Sequence, residues 1–180
     1  MKQTEQIRSL LNRLARLDAG EGWAGDLNPA QRDALDYLAR ANRFSRSPSH
    51  VAEYLDTTRG TMSQTLKALV RKGYLSEKRS IMDKRVVSFT LTDQGQKATS
   101  DINIINRGLD DLNVSDRKDL HKGLTDLLES VLKKSGGKAF GICHTCRHFS
   151  KESQGGFCSL LSEPLTELET KQICHEQDSA

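Results

Sequence analysis

Apolar residues recur along this chain at the spacing of amphipathic helices, with one stretch at the spacing of a strand. Ile7, Leu10, Leu11, Leu14 and Leu17 form the first stripe, which opens close to the N-terminus and stops at Ala19-Gly20-Glu21-Gly22. Trp23 follows and is expected to anchor a loop against the core. Asn28-Pro29-Ala30-Gln31 reads as a helix start: Asn28 caps, Pro29 suits the first turn and Gln31 reaches back to the cap. Ala34, Leu35, Leu38 and Ala41 give this second helix its buried face. Ser47-Pro48 opens a third, shorter helix with Val51, Ala52 and Leu55 inside. A turn through Asp56 and Thr57 leads to a fourth, capped by Thr58.

The fourth helix carries Thr61, Met62, Leu66, Leu69 and Val70 at roughly helical spacing and ends at Gly73. Two extended runs follow, 74–79 and 86–91. In the second, Val87, Phe89 and Leu91 alternate with Ser88 and Thr90, the period of a half-buried strand. Two short helices joined by a tight turn, then a hairpin, predict a winged helix-turn-helix. Thr92 is expected to cap a fifth helix bearing Ile102, Ile105, Leu109 and Leu112. Ser115 is expected to cap a sixth, bearing Leu120, Leu124, Leu127, Leu128 and Val131 and ending at a hinge, Ser135-Gly136-Gly137. Helices one, five and six lie outside the winged core. Their stripes need cover, from each other and a second subunit, or by folding back on their own domain.

Charge changes the picture around the fourth helix and the hairpin. From Thr57 to Arg85 there are eight basic residues and two acidic ones, a local +6 in a chain whose total is +3. A basic helix-plus-hairpin is the electrostatic footprint of a duplex-DNA binder. With Met62, Leu66, Leu69 and Val70 facing inward, Arg59, Thr61, Ser63, Gln64 and Lys67 are left for the outer face. Arg and Gln can read guanine and adenine edges with paired hydrogen bonds, and Thr and Ser can touch bases or phosphates. Lys67, Lys78, Arg79 and Lys84 suit phosphates, which position a protein without specifying sequence. The bland alternative is a solvated basic face.

The chain has 180 residues, enough for one domain or one domain with an appendage; apolar residues make up 36% and aromatics 5%. So polar a helical chain is expected to complete its core by forming a homodimer. No apolar run is long enough to span a membrane, no signal peptide is read at the N-terminus, and a cytoplasmic location is expected. In that reducing setting, cysteines clustered near one end suit metal ligation better than disulfides.

Thr58-Arg59-Gly60-Thr61-Met62-Ser63, Leu69-Val70-Arg71-Lys72-Gly73-Tyr74-Leu75, and Asp83-Lys84-Arg85 followed by Leu91-Thr92 form an ordered set. By these, residues 5 to 134 resemble the MarR family of winged-helix transcriptional regulators. The resemblance implies a homodimer on a double-stranded DNA operator, each recognition helix in a major groove and each wing in an adjacent minor groove. It puts the wing arginine at Arg85, with Asp83 bracing the wing, and implies a small-molecule effector, often an anionic aromatic, between the dimerisation helices and the winged domain. Ile81 and Met82 at the wing tip depart from the polar residues common there.

Residues 138–180 are a different kind of sequence, with four basic and six acidic residues and all four cysteines: Cys143, Cys146, Cys158 and Cys174. A Cys-x-x-Cys knuckle grips one ion from a tight turn, and two distant thiolates complete a tetrahedral cage. Phe140, Phe149, Phe157, Leu160, Leu161 and Leu165 offer a small apolar shell. Zinc is the first expectation, an iron–sulfur cluster on the same cysteines the rival, and a metal-free redox thiol pair the third reading. His144, His148 and His175 stand beside them as substitutes or, more plainly, as surface or supporting residues. The module would be a structural clip packed against the dimerisation helices, or a sensor whose metal loss or oxidation rearranges those helices.

The expected fold is therefore mainly α. It comprises an N-terminal dimerisation helix (1–25), a winged helix-turn-helix domain (26–94), C-terminal dimerisation helices (95–135) and a small C-terminal metal-binding module (138–180). An enzyme is the alternative class, but no nucleophile elbow, phosphate-binding glycine loop or H-E-x-x-H helix is present, and Glu176 beside His175 is the only local hint. A protein-interaction adaptor is the other alternative, against which the basic face argues.

Overall fold

A computed structural model describes residues 2–21, 25–79, 86–99, 104–138 and 140–178. Helix α1 (Gln3–Glu21) lies on the outside of the molecule. Helix α2 (Pro29–Arg40) starts as its capping residues require: the Gln31 N–H donates to Asn28 Oδ1 at 2.9 Å, and the Asn28 N–H donates to Gln31 Oε1 at 3.3 Å. A short helical turn, Arg43–Ser45, leads to α3 (Pro48–Tyr54), capped by Ser47, and then to α4 (Arg59–Arg71), capped by Thr58. Between α3 and α4 the chain reverses through Asp56, at a φ of 48° in the left-handed region that Asp tolerates better than branched residues. Gly73, at a φ of 82°, turns the chain out of α4. Strand β1 (Leu75–Arg79) then pairs antiparallel with β2 (Val87–Leu91), setting Leu75 opposite Leu91 and Arg79 opposite Val87.

The core fills the space between α2, α3, α4 and this hairpin. Leu35, Tyr37, Leu38, Val51, Leu66, Leu69 and Phe89 are fully buried, while Leu55 and Val70 are half-buried against them. The Phe89 N–H donates to the Arg46 carbonyl at 3.0 Å, hooking β2 to the turn in front of α3. Trp23 and the wing tip, 80–85, lie outside the described residues.

Beyond the hairpin, helical residues are described on either side of 100–103, as α5 (Asp93–Thr99) and α6 (Ile104–Asp110), and Ile102 of the expected fifth helix lies outside the described residues. Thr92 caps α5 by accepting the Gly95 N–H at 3.2 Å. Helix α7 (Val114–Ser135) is capped by Asn113, not Ser115: Asn113 Oδ1 accepts the Asp116 N–H at 2.9 Å, and Ser115 lies inside the first turn. Asn is at least as strong a cap as Ser and stands at the register that satisfies a free N–H. Helix α1 packs along α6. No residue of α7 is buried, and the apolar stripes of α1 and α7 lie open, Leu10 being 61% and Leu128 56% exposed.

The tail folds as a small β module. Strand β3 (Gly141–Ile142) pairs with the closing strand β7 (Ile173–Cys174). Strands β4 (Phe149–Glu152), β5 (Gly155–Cys158) and β6 (Glu163–Leu165) form an antiparallel sheet, followed by the single turn α8 (Glu167–Thr170). Its position corrects the expectation that it packs against the dimerisation helices: it seats on the winged domain. Ala41 bridges Ile173, the Asn42 N–H donates to the Ile173 carbonyl at 2.9 Å, and Ile173 joins the main core. Phe140 sets its ring edge-on to Tyr54 at 5.1 Å and to Tyr37 at 6.2 Å. The reason is apolar: the edge of the core at Tyr37 and Tyr54 is covered by Phe140, Ile142 and Ile173 of the tail.

Candidate functional site

Helix α4 has two unlike sides. Met62, Leu66 and Leu69 fix one side in the core, so the helix has little freedom to rotate. Arg59, Thr61, Gln64 and Lys67 come out exposed on the other, with Ser63 half-buried at the boundary. Thr58 Oγ1 accepts the Thr61 N–H at 3.1 Å, and the two hydroxyls meet at 2.8 Å, which fixes the first turn where Arg59 emerges. The side chains of Arg59, Gln64 and Lys67 take no part in the hydrogen bonds or ion pairs of the described residues.

Not every cation of the basic stretch is equally available. Lys72 points to the loop before α2, where its Nζ donates to the Asp26 carbonyl and, at 3.0 Å, to Gln31 Oε1. The Tyr74 hydroxyl donates to Asp26 Oδ1 at 2.7 Å, and this bond, with the nearby Lys72 charge, holds the Asp26 carboxyl below its usual range. Lys72 and Tyr74 thus tie the exit of α4 to the entry of α2. Arg79 is 66% exposed, with its Nε 3.0 Å from Glu77 Oε1. Lys78 is exposed beside it. Asp83, Lys84 and Arg85 lie outside the described residues.

The second constellation is in the tail. Cys143, Cys146, Cys158 and Cys174 line one small pocket together with His148, Phe149, Leu165 and Glu176. The knuckle forms as its spacing requires, the Cys146 N–H donating to the Cys143 carbonyl at 3.0 Å. The sulfurs also meet donors: Asn42 Nδ2 donates to Cys143 Sγ at 3.2 Å and the Asp178 N–H to Cys146 Sγ at 3.4 Å. Cys143 and Cys174 share a hydrogen bond that holds the Cys174 thiol below its usual range and, with burial, pushes Cys143 up. Among the described residues, however, no three His, Cys, Asp or Glu side chains stand in the arrangement of a metal site; the sulfurs face one pocket without closing on a centre. The histidines divide. His148 lines the pocket, His144 Nδ1 pairs with the Thr170 carbonyl at 3.1 Å, and His175 stacks on His50 at 3.5 Å between ring centres.

Asn42, Arg43 and Ser45 belong to this site and are not marked by the sequence. Asn42 is completely buried, and the His175 N–H donates to Ser45 Oγ at 2.8 Å.

Residues 25–86 match the model of the MarR family. The fold is similar to Streptococcus pneumoniae FabT in complex with DNA (23% identity, TM-score 0.55, covering 72% of this chain and 95% of that one). It is similar also to the S. aureus MepR–DNA complex (20% identity, TM-score 0.56, 72% and 98%). A MarR transcriptional regulator from Methanosarcina mazei Go1 aligns with 22% identity and a TM-score of 0.58, over 72% and 98%. No curated protein matches the chain. The chain shares the winged-helix fold of these structures, and no helix among the described residues is long and apolar enough to cross a membrane.

Proposed function

We propose that the chain is a homodimeric, sequence-specific DNA-binding transcriptional regulator of the MarR type, with α4 in the major groove and the wing, through Arg85, in an adjacent minor groove. One observation carries this reading: α4 holds Arg59, Thr61, Gln64 and Lys67 outward from a helix locked on its other side by Met62, Leu66 and Leu69, within a winged-helix fold. Arg59 and Gln64 then read base edges while Lys67, Lys78 and Arg79 meet phosphates. The open stripes of α1 and α7 support pairing with a second copy. The test is titration of a mixed-sequence duplex across salt concentrations, followed by selection of preferred sites from a random pool. Binding with a steep inverse salt dependence and an enriched motif supports the reading. Binding that ignores salt, or a pool that enriches nothing, contradicts it.

For the tail we propose a zinc ion held by Cys143, Cys146, Cys158 and Cys174. Four sulfurs on one pocket are the donor set that zinc prefers, and the N–H groups of Asn42 and Asp178 aimed at two of them are the outer partners such ligands need. Bound zinc would supply a cross-link, so that its binding free energy becomes folding free energy for a module whose own buried core, among the described residues, is Leu165, Cys143 and Cys174. Protein purified without air is assayed for metal and scanned in the visible. One colourless zinc per chain supports the assignment. A brown, absorbing preparation gives the cysteines to an iron–sulfur cluster instead, and metal-free protein removes the site.

A further inference from the structure

We propose that occupancy of the sulfur pocket is transmitted to the DNA-binding domain through Asn42, which joins that pocket to the turn in front of α3; this rests on the metal reading above. Asn42 is completely buried and uses both ends of its amide. Its Nδ2 donates to Cys143 Sγ at 3.2 Å, while its Oδ1 accepts the Phe44 N–H at 3.1 Å and the Ser45 hydroxyl at 2.8 Å, capping the Arg43–Ser45 turn. The N–H donor is better satisfied by a metal-bound thiolate than by a thiol, because a bond to a charged acceptor is the stronger one. Two residues beyond the turn, Ser47 caps α3 by accepting the His50 N–H at 3.3 Å. Between them the Arg46 carbonyl accepts the Phe89 N–H of β2 at 3.0 Å. A sulfur held in place therefore holds the amide. The amide holds the turn, and the turn sets both the start of α3 and the root of the wing.

The route bypasses α5, α6 and α7. The state of the tail acts on the orientation of the helix-turn-helix within one subunit, without requiring a change in the separation of two subunits. Asn42 is on this view a positioning residue for the pocket and for the DNA-binding face at once.

The experiment is hydrogen exchange read by mass spectrometry on the full chain, with zinc restored or removed by a chelator and metal content measured in parallel. Zinc is expected to slow exchange across 43–55 by about tenfold, besides its effect within 140–178. Asn42→Ser keeps a capping oxygen at this position and loses the reach to sulfur. In that variant zinc still binds, and the slowing across 43–55 falls to about twofold or less. Slowing confined to 140–178 in the native chain overturns the transmission. Full slowing in Asn42→Ser overturns the role of Asn42. A chain that takes up no zinc removes the metal reading and this proposal with it, an outcome the metal assay separates from the other two.

Discussion

Arg43 Nη1 and Glu169 Oε1 meet at 2.5 Å, the shortest ion pair among the described residues, and it joins the winged domain to the tail. The same guanidinium donates to the Pro164 carbonyl at 2.7 Å and lies 4.3 Å from the centre of the Phe44 ring. Glu169 is buried, which alone would raise its carboxyl; hydrogen bonds from Thr166 and Arg43 more than offset this and hold it low. Arg43→Ala leaves that carboxylate without its charge partner. The expected loss is about 1–3 kcal/mol in urea unfolding, with only part of it recovered by Arg43→Lys, which lacks the planar fork.

The two kinds of contact assigned to α4 separate by measurement. Lys67→Ala should lower the log–log salt slope of duplex binding by about 0.9 with base preference unchanged. Gln64→Ala should keep the slope and weaken the preferred site over mixed sequence, by about 1–3 kcal/mol. Gel-shift titrations at several salt concentrations, with both duplexes, check the pair.

The open stripe of α7 is expected to lie at the subunit interface. Leu124 and Leu128 are 43% and 56% exposed in a single chain. Leu124→Asp with Leu128→Asp should convert a dimer to a monomer in sedimentation, with the helical content of the winged domain retained. A dimer of unchanged mass would place the interface elsewhere.

His50 gives a dependence on pH. Burial, then the neighbouring His175, lowers its pKa from 6.5 to about 4. In the window between those values the unfolded chain binds the proton and the folded one does not. Stability is therefore fully present at neutral pH and declines as the pH falls from 6.5 towards 4, by on the order of 1–3 kcal/mol. Urea midpoints at pH 7 and pH 5 should differ less in His50→Gln than in the native chain.

Local signals were legible in the sequence because they depend on near neighbours. Asn28 with Gln31, Ser47 and Thr58 each cap a helix as their spacing indicates, and Met62, Leu66 and Leu69 share the buried side of α4. Ser115 misled because two capping residue types lie within three positions, and Asn113 has the better register. The seat of the tail was not legible. Nothing near Asn42 or Arg43 in sequence indicates that Cys143 and Glu169 will meet them, and a contact across so long a separation leaves no periodicity to read. The four cysteines line one pocket without closing on a centre, and the surface beneath them is the winged domain rather than the dimerisation helices.

Ile173 has a bearing on how the molecule is made. The other buried members of its core cluster lie between Leu27 and Phe89, so they leave the ribosome well before it does. Until Ile173 and Phe140 arrive, the ring edges of Tyr37 and Tyr54 lack their cover, and a nascent or clipped chain carries a greasy seam inviting aggregation. Synthesis that stalls or stops inside the tail would thus damage the winged domain too, although every residue of that domain had already been translated.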